Sequence, residues 1–84
     1  MRPVTVYTSE TCALCNSVEN LFNVREIPYE KIIVTEESPQ HEELAQRSGM
    51  KSLPQVFIGS LLLGGYQETM AADQAGMLAD LLVD

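Results

Sequence analysis

The stretch Pro3-Val4-Thr5-Val6-Tyr7-Thr8-Ser9-Glu10-Thr11-Cys12-Ala13-Leu14-Cys15-Asn16 decides how this chain is read. Pro3 to Tyr7 is β-branched and aromatic, which predicts a strand. Thr8 to Thr11 is a short polar loop. From Cys12 a helical pattern runs to about Arg25. Cys15, Val18, Leu21 and Phe22 recur at spacings of three and four, and Asn16, Glu19, Asn20 and Asn23 take the other face. Thr11 is the expected N-cap.

That placement gives Cys12 its chemistry. The first amides of a helix have no intrahelical partner, and the macrodipole puts partial positive charge there. A thiolate at that spot is stabilised, so its pKa falls and more nucleophile exists near neutral pH. Cys15 lies about one helical turn on. A mixed disulfide formed on Cys12 is then within reach of attack by Cys15. A Cys-x-x-Cys is also half of a zinc site or a pair of small hydrophobes, but a structural zinc needs four ligands. The chain offers two cysteines and a single histidine, His41, which reads as an exposed residue near a helix start. No metal site is expected. A strand before the pair and a helix starting on it, inside a βαβ pattern, favour redox chemistry.

Working outward, Ile27-Pro28 stops the first helix, and Tyr29 to Val34 predicts a second strand. A polar turn spans Thr35 to Pro39. Ser38 caps a helix with Pro39 at its first position, running to about Ser48, and Gly49 ends it. Gln55 to Ile58 is a third strand. Gly59-Ser60 fits a two-residue hairpin turn, and Leu61 to Leu63 is the partner strand. Gly64-Gly65 makes a bend that lets backbone approach a ligand closely. The amides opening the next helix suit a carboxylate. Met70, Ala71, Ala75, Leu78, Leu81 and Leu82 predict a helix over about 69–82, weakened by Gly76. Pro54 opens the third strand, where a missing amide is tolerated. Trans is the commoner form for such a proline, and a cis bond would expose the backbone of Leu53 for strand-like pairing with a peptide.

The element order is β-α-β-α-β-β-α: an α/β fold with a four-stranded mixed sheet and helices on its faces. The 84 residues suffice for one domain, 1–84. With 45 % hydrophobic residues a packed core is expected. No run of about 18 uncharged apolar residues is present, which excludes a spanning helix. The first residues lack the pattern of a signal peptide, so a cytoplasmic location is expected. The net charge of −7, from 12 acidic and 5 basic side chains, argues against nucleic acid or membrane as partners.

In this order the motifs resemble the glutaredoxin family of the thioredoxin fold. The resemblance rests on Val6-Tyr7-Thr8, Glu10-Thr11-Cys12-x-x-Cys15, Leu53-Pro54-Gln55-Val56-Phe57-Ile58-Gly59, Gly64-Gly65-Tyr66 and Gly76-Met77-Leu78-x-x-Leu81-Leu82. It implies a three-layer thioredoxin-like fold. It also implies reduction of protein disulfides and glutathione mixed disulfides, with glutathione as the reducing co-substrate and no permanently bound cofactor. Carried over, Cys12 is the nucleophile and Cys15 the resolving thiol. Pro54 is the cis proline and Leu53 offers its backbone to the cysteinyl part of glutathione. Gly65, Tyr66 and Gln67 line the γ-glutamyl end, and Lys51 meets a carboxylate.

Three positions depart from the family pattern. Ala13-Leu14 replaces Pro-Tyr, Ser9 stands where a basic residue is common, and Gln67 stands where an acidic residue pairs with the glutathione amine. Two other readings stay open. One is a glutaredoxin-like electron donor to ribonucleotide reductase, recharged by thioredoxin reductase, suggested by Val4 to Thr8 and Asn16. The other is a carrier of a [2Fe-2S] cluster held by Cys12 and glutathione in two copies. The expected working form is a monomer.

Overall fold

The computed structural model describes residues 2–35, 38–50 and 52–83. The elements are β1 (Val4–Thr8), α1 (Ala13–Val24), β2 (Glu30–Ile33), α2 (Pro39–Ser48), β3 (Gln55–Ile58), β4 (Leu61–Gly64), α3 (Tyr66–Gln74) and α4 (Met77–Leu82). The strands form one mixed sheet in the order β2-β1-β3-β4. β1 pairs parallel with β2 and antiparallel with β3, and β3 pairs antiparallel with β4. Ile58 faces Leu61 across the hairpin, so Gly59-Ser60 is its two-residue loop, as expected.

The alternation in β1 sorts the layers. Val4, Val6 and Thr8 are buried, while Thr5 and Tyr7 are only partly so. Val4 and Val6 join Val56 and Ile58 of β3, Val18 and Phe22 of α1, and Leu78 and Leu82 of α4 in one hydrophobic cluster. On the opposite face Tyr7 meets Phe57 edge-on at 5.6 Å, and the Arg47 guanidinium of α2 lies over the Phe57 ring at 5.1 Å. α1, α3 and α4 thus cover one face of the sheet and α2 the other, the three-layer α/β arrangement expected. All four residues of β3 are buried, as a strand covered on both faces requires. Phe22 is fully buried, and its truncation to alanine would cost about 3–5 kcal/mol.

Two local expectations are corrected, the cap of α1 and the single C-terminal helix; α1 ends about where expected, but the backbone itself closes it. Cys12, rather than Thr11, is the N-cap of α1: its backbone is extended and its own sulfur accepts the amide of Cys15. A sulfur in the cap position leaves the threonine hydroxyl no role there.

The end of α1 comes three residues before Ile27. Glu26 adopts φ 59°, and the Glu26 and Ile27 amides donate to the Asn23 and Phe22 carbonyls at 3.1 and 2.8 Å. This is a Schellman ending, normally built on glycine. Ile27 then packs against the cluster containing Phe22. Backbone hydrogen bonds close the helix here, ahead of Pro28.

The single C-terminal helix is two. α3 starts at Tyr66, earlier than expected, because the Glu68 carboxylate reaches back to the Gly65 amide at 2.8 Å. Gly76, at φ 72°, turns the chain between α3 and α4.

Candidate functional site

The register of the sheet brings the site together. Tyr7 lies opposite Gln55, so the end of β1, leading to Cys12, sits beside the start of β3, preceded by Pro54. Val56 lies opposite Gly64, which delivers Gly64-Gly65 and the start of α3 to the same end.

Cys12 is partly exposed and Cys15 is fully buried. The two are joined by a disulfide, with their Cα atoms 5.3 Å apart. The Cys12 sulfur also accepts the backbone N–H of Cys15 at 3.1 Å. The sulfur therefore sits at the N-terminus of a helix of 12 residues, against an amide that has no intrahelical acceptor. Such an amide favours negative charge on the atom it faces.

Two clefts flank Leu53. One, of about 400 Å³, is lined by Ser9 to Cys12, by Val34 and Thr35 after β2, by His41 of α2, and by Ser52 and Leu53. The other, of about 440 Å³, is lined by Leu14, Met50, Ser52 to Pro54 and Gly65 to Glu68. Ser52 and Leu53 line both. The Leu53–Pro54 peptide bond is cis, the form the family resemblance implied.

Leu53, Pro54, Gly65, Tyr66 and Gln67 are thus gathered along one cleft with Leu14, while Cys12 lines the neighbouring cleft, which shares Ser52 and Leu53 with it. Lys51 lies outside the described residues. Leu14, half exposed at 50 %, gives the cleft of Pro54 and Gly65 an apolar lining residue that lies between the two cysteines in sequence.

Gly65 is held at both ends. Its amide is taken by Glu68, and its carbonyl accepts the buried Thr69 hydroxyl at 2.8 Å. A Cβ at Gly65 would lie 3.3 Å from the Pro54 carbonyl, closer than most such contacts, so a side chain here would crowd the two segments where they meet. Because the Glu68 carboxylate is engaged in this cap, the acidic neighbour of Gln67 is already committed within the chain.

Two residues stand closer to the site than their sequence positions suggest. His41 does sit near a helix start, as expected, but it is only partly exposed and lines the Cys12 cleft. The Ser38 hydroxyl caps its amide at 3.2 Å and so fixes where the helix begins. Gln55, read only as the first residue of a strand, is buried at the base of the loop carrying Leu53. Neither has a sequence signal, because each owes its place to a segment distant along the chain.

The glutaredoxin family model matches residues 4–62, which span the cysteine pair and Pro54. The chain belongs to the glutaredoxin family. It is 32 % identical over 82 residues to glutaredoxin 3 of Escherichia coli strain K12, covering 98 % of this chain and 99 % of that one. It is 34 % identical over 83 residues to a glutaredoxin of Neisseria meningitidis serogroup A, covering 98 % of both. Among solved structures, the buckwheat glutaredoxin–glutathione complex superposes with a TM-score of 0.87 at 30 % identity, covering 96 % of this chain and 76 % of that one. The solution structure of glutaredoxin from Brucella melitensis gives 0.84 at 31 %, covering 98 % and 89 %. This glutaredoxin is a thiol–disulfide oxidoreductase with a Cys12–Cys15 pair of the dithiol type. Among its described residues no helix is long and apolar enough to cross a membrane.

Proposed function

We propose that this glutaredoxin reduces protein disulfides and glutathione mixed disulfides at Cys12, with glutathione as the electron source. The observation carrying this reading is the place of the Cys12 sulfur: 3.1 Å from the Cys15 amide at a helix start, in a cleft that shares Ser52 and Leu53 with the second cleft, lined by Pro54 and Gly65. The buckwheat relative, of the same fold, is known as a complex with glutathione, which supports the same ligand here.

In the reduced protein the Cys12 thiolate attacks one sulfur of the substrate disulfide. The old S–S bond breaks, and the departing thiolate takes a proton from solvent. With a glutathionylated substrate the protein thiol leaves and glutathione stays on Cys12. A second glutathione thiolate then attacks the glutathione sulfur, releasing glutathione disulfide and the Cys12 thiolate. With a protein disulfide, Cys15 attacks Cys12 in the mixed disulfide, the substrate leaves as a dithiol, and the Cys12–Cys15 disulfide forms. Two glutathiones return it to the dithiol. Throughout, the amide at the helix start stabilises negative charge on Cys12, both as nucleophile and as leaving group.

In this reading Leu53 pairs its backbone with the cysteinyl unit. Tyr66 and Gln67, with the start of α3, receive the γ-glutamyl carboxylate, because opening amides of a helix suit an anion. Lys51 meets a carboxylate. Gln67 offers a neutral amide to the glutathione ammonium.

A coupled assay tests the electron source. Reduction of a small glutathione mixed disulfide is followed with glutathione and glutathione reductase, and in parallel with thioredoxin reductase. The expected result is turnover in the first system. Turnover only in the second overturns the proposal.

A further inference from the structure

Between Gly49, which caps α2, and Pro54, which precedes β3, the described residues belong to no helix or strand. Ser52 and Leu53 of this loop line both clefts, and Met50 lines one. A loop without a ladder holds its shape only if something else takes up its carbonyls.

Gln55 does so. Its side-chain amide Nε2 donates to the Met50 carbonyl at 2.9 Å and to the Ser52 carbonyl at 3.0 Å. Both amide protons are thereby spent on the two residues either side of position 51. The side chain is 1 % exposed, at the first position of a strand whose other three residues are apolar. Its Oε1 is buried with no hydrogen-bond partner among the described residues. An orphaned buried acceptor is unfavourable, and an apolar side chain of the same size would not carry it. What the amide supplies in return is a pair of donors aimed at the loop. Ser48 anchors the other end: its hydroxyl donates to the Leu44 carbonyl at 2.9 Å and accepts the Met50 amide at 3.1 Å.

We propose that Gln55 is a positioning residue for substrate binding: its amide clamps the Met50 and Ser52 carbonyls and so fixes the Leu53 backbone against which a peptide-like thiol lies beside Cys12. This rests on the glutathione reading given above. Gln55 touches neither sulfur, so its effect falls on recognition of a substrate backbone and leaves thiolate attack to Cys12. The assignment of Nε2 and Oε1 follows from the partners, since two carbonyls require the donor end of the amide.

The experiment compares wild type with Gln55→Met, which conserves shape and removes both donors and the orphaned acceptor. Gln55→Asn, which keeps the amide but retracts it by one methylene, serves if the methionine variant does not fold. Two substrates are used: a glutathionylated peptide, and a small aliphatic disulfide with no peptide group. The expected result is a fall of about tenfold in the ratio of kcat/KM values, peptide over aliphatic, carried by KM with kcat retained. Equal losses on both substrates, or no loss on either, overturn the proposal.

Amide hydrogen exchange supplies the second readout. Met50, whose amide donates to the Ser48 hydroxyl and whose carbonyl Gln55 holds, is expected to exchange faster in the variant, while the amides of β1 do not change. Should wild type treat the two substrates alike, the glutathione reading falls by itself. Gln55 is then judged on Met50 exchange alone: faster exchange upholds the clamp, and unaltered exchange overturns it.

Discussion

Residues 49–54 carry the chain from α2 into β3 at the Thr8 end of the sheet, and residues 25–29 carry it from α1 into β2 at the other end. The two connections are similar in length and opposite in construction. At the far end the backbone closes on itself: the amides of Arg25, Glu26 and Ile27 donate to the carbonyls of Leu21, Asn23 and Phe22. The side chains there are mostly exposed, and even a left-handed backbone is occupied by Glu26 rather than glycine. At the near end side chains do the holding: the Ser48 hydroxyl accepts the Met50 amide, and Gln55 donates to the Met50 and Ser52 carbonyls. Backbone-closed turns accept many residues. Side-chain-closed loops depend on the identity of each one, which is a physical reason why substitutions should act so differently at the two ends.

The largest effects belong to the near end. Cys12→Ser is expected to abolish turnover on every substrate, because the attacking sulfur is gone. Cys15→Ser should lose reduction of protein disulfides and keep deglutathionylation, which uses only the first thiol. Assays on a glutathionylated peptide and on a protein disulfide check this. If Cys15→Ser is as inactive as Cys12→Ser on the glutathionylated peptide, the division of labour between the two sulfurs is wrong.

Gly64→Ala comes next, also at the near end. Gly64 has φ 129°, and a Cβ there would lie 2.7 Å from Cβ and Cγ of Glu68. The methyl group would displace the side chain that caps α3. A loss of about 1–3 kcal/mol in denaturant unfolding is expected. Unaltered stability would show that the near end is as tolerant as the far one.

At the far end the sign reverses. Glu26→Gly relieves a left-handed conformation that costs an L-residue roughly 1–2 kcal/mol, part of which is returned as backbone entropy of the unfolded chain. A net gain of about 0.5–1 kcal/mol is expected from the same measurement. A loss would mean that the Glu26 side chain does more than occupy the turn.

The smallest effect is pH-dependent. Burial, with the Glu19 carboxylate beside it, raises the Tyr29 pKa above the ordinary 10.0. The phenol donates to Glu19 at 3.2 Å, and Glu19 also pairs with Lys31 at 3.3 Å. A raised folded pKa means that the stabilisation is fully present below about pH 10 and is lost as pH rises through the folded value. Tyr29→Phe should therefore be less stable than wild type at pH 8 by about 0.5–1 kcal/mol, and the gap should narrow above pH 10. Urea unfolding at pH 8, 9.5 and 11 reads the trend, and a gap that widens would contradict it.

Much of the fold was legible along the chain. The β-branched and aromatic run Pro3 to Tyr7, the three-and-four spacing from Cys15 to Phe22, Ser38-Pro39 at the start of α2 and Gly59-Ser60 in the hairpin are local signals, and each led to the observed element, β1 running one residue further, to Thr8. The misplaced boundaries at Thr11 and Thr69, and the way α1 closes at Arg25, have local explanations of another kind. A cysteine serves as a cap, a glutamate stands where glycine is usual, and a glutamate three residues into α3 starts it early. At each, a less common residue does the work of the usual one, so residue preference pointed elsewhere.

For the site, the cysteine pair could be found from spacing alone, since the helix start and the interval of three residues contain its geometry. Leu53, Pro54 and Gly65 to Gln67 were reached through family resemblance. Gln55 and the approach of His41 to Cys12 were not legible at all. Sequence periodicity reports which face of an element is apolar, and spacing reports neighbours within one helical turn. Which loops meet at the end of a sheet depends on strand order and register, set by packing among residues far apart in the chain. The tertiary structure alone therefore decided that Leu53 lines two clefts, one of them shared with Cys12, and that a buried amide from the next strand takes up the carbonyls of Met50 and Ser52.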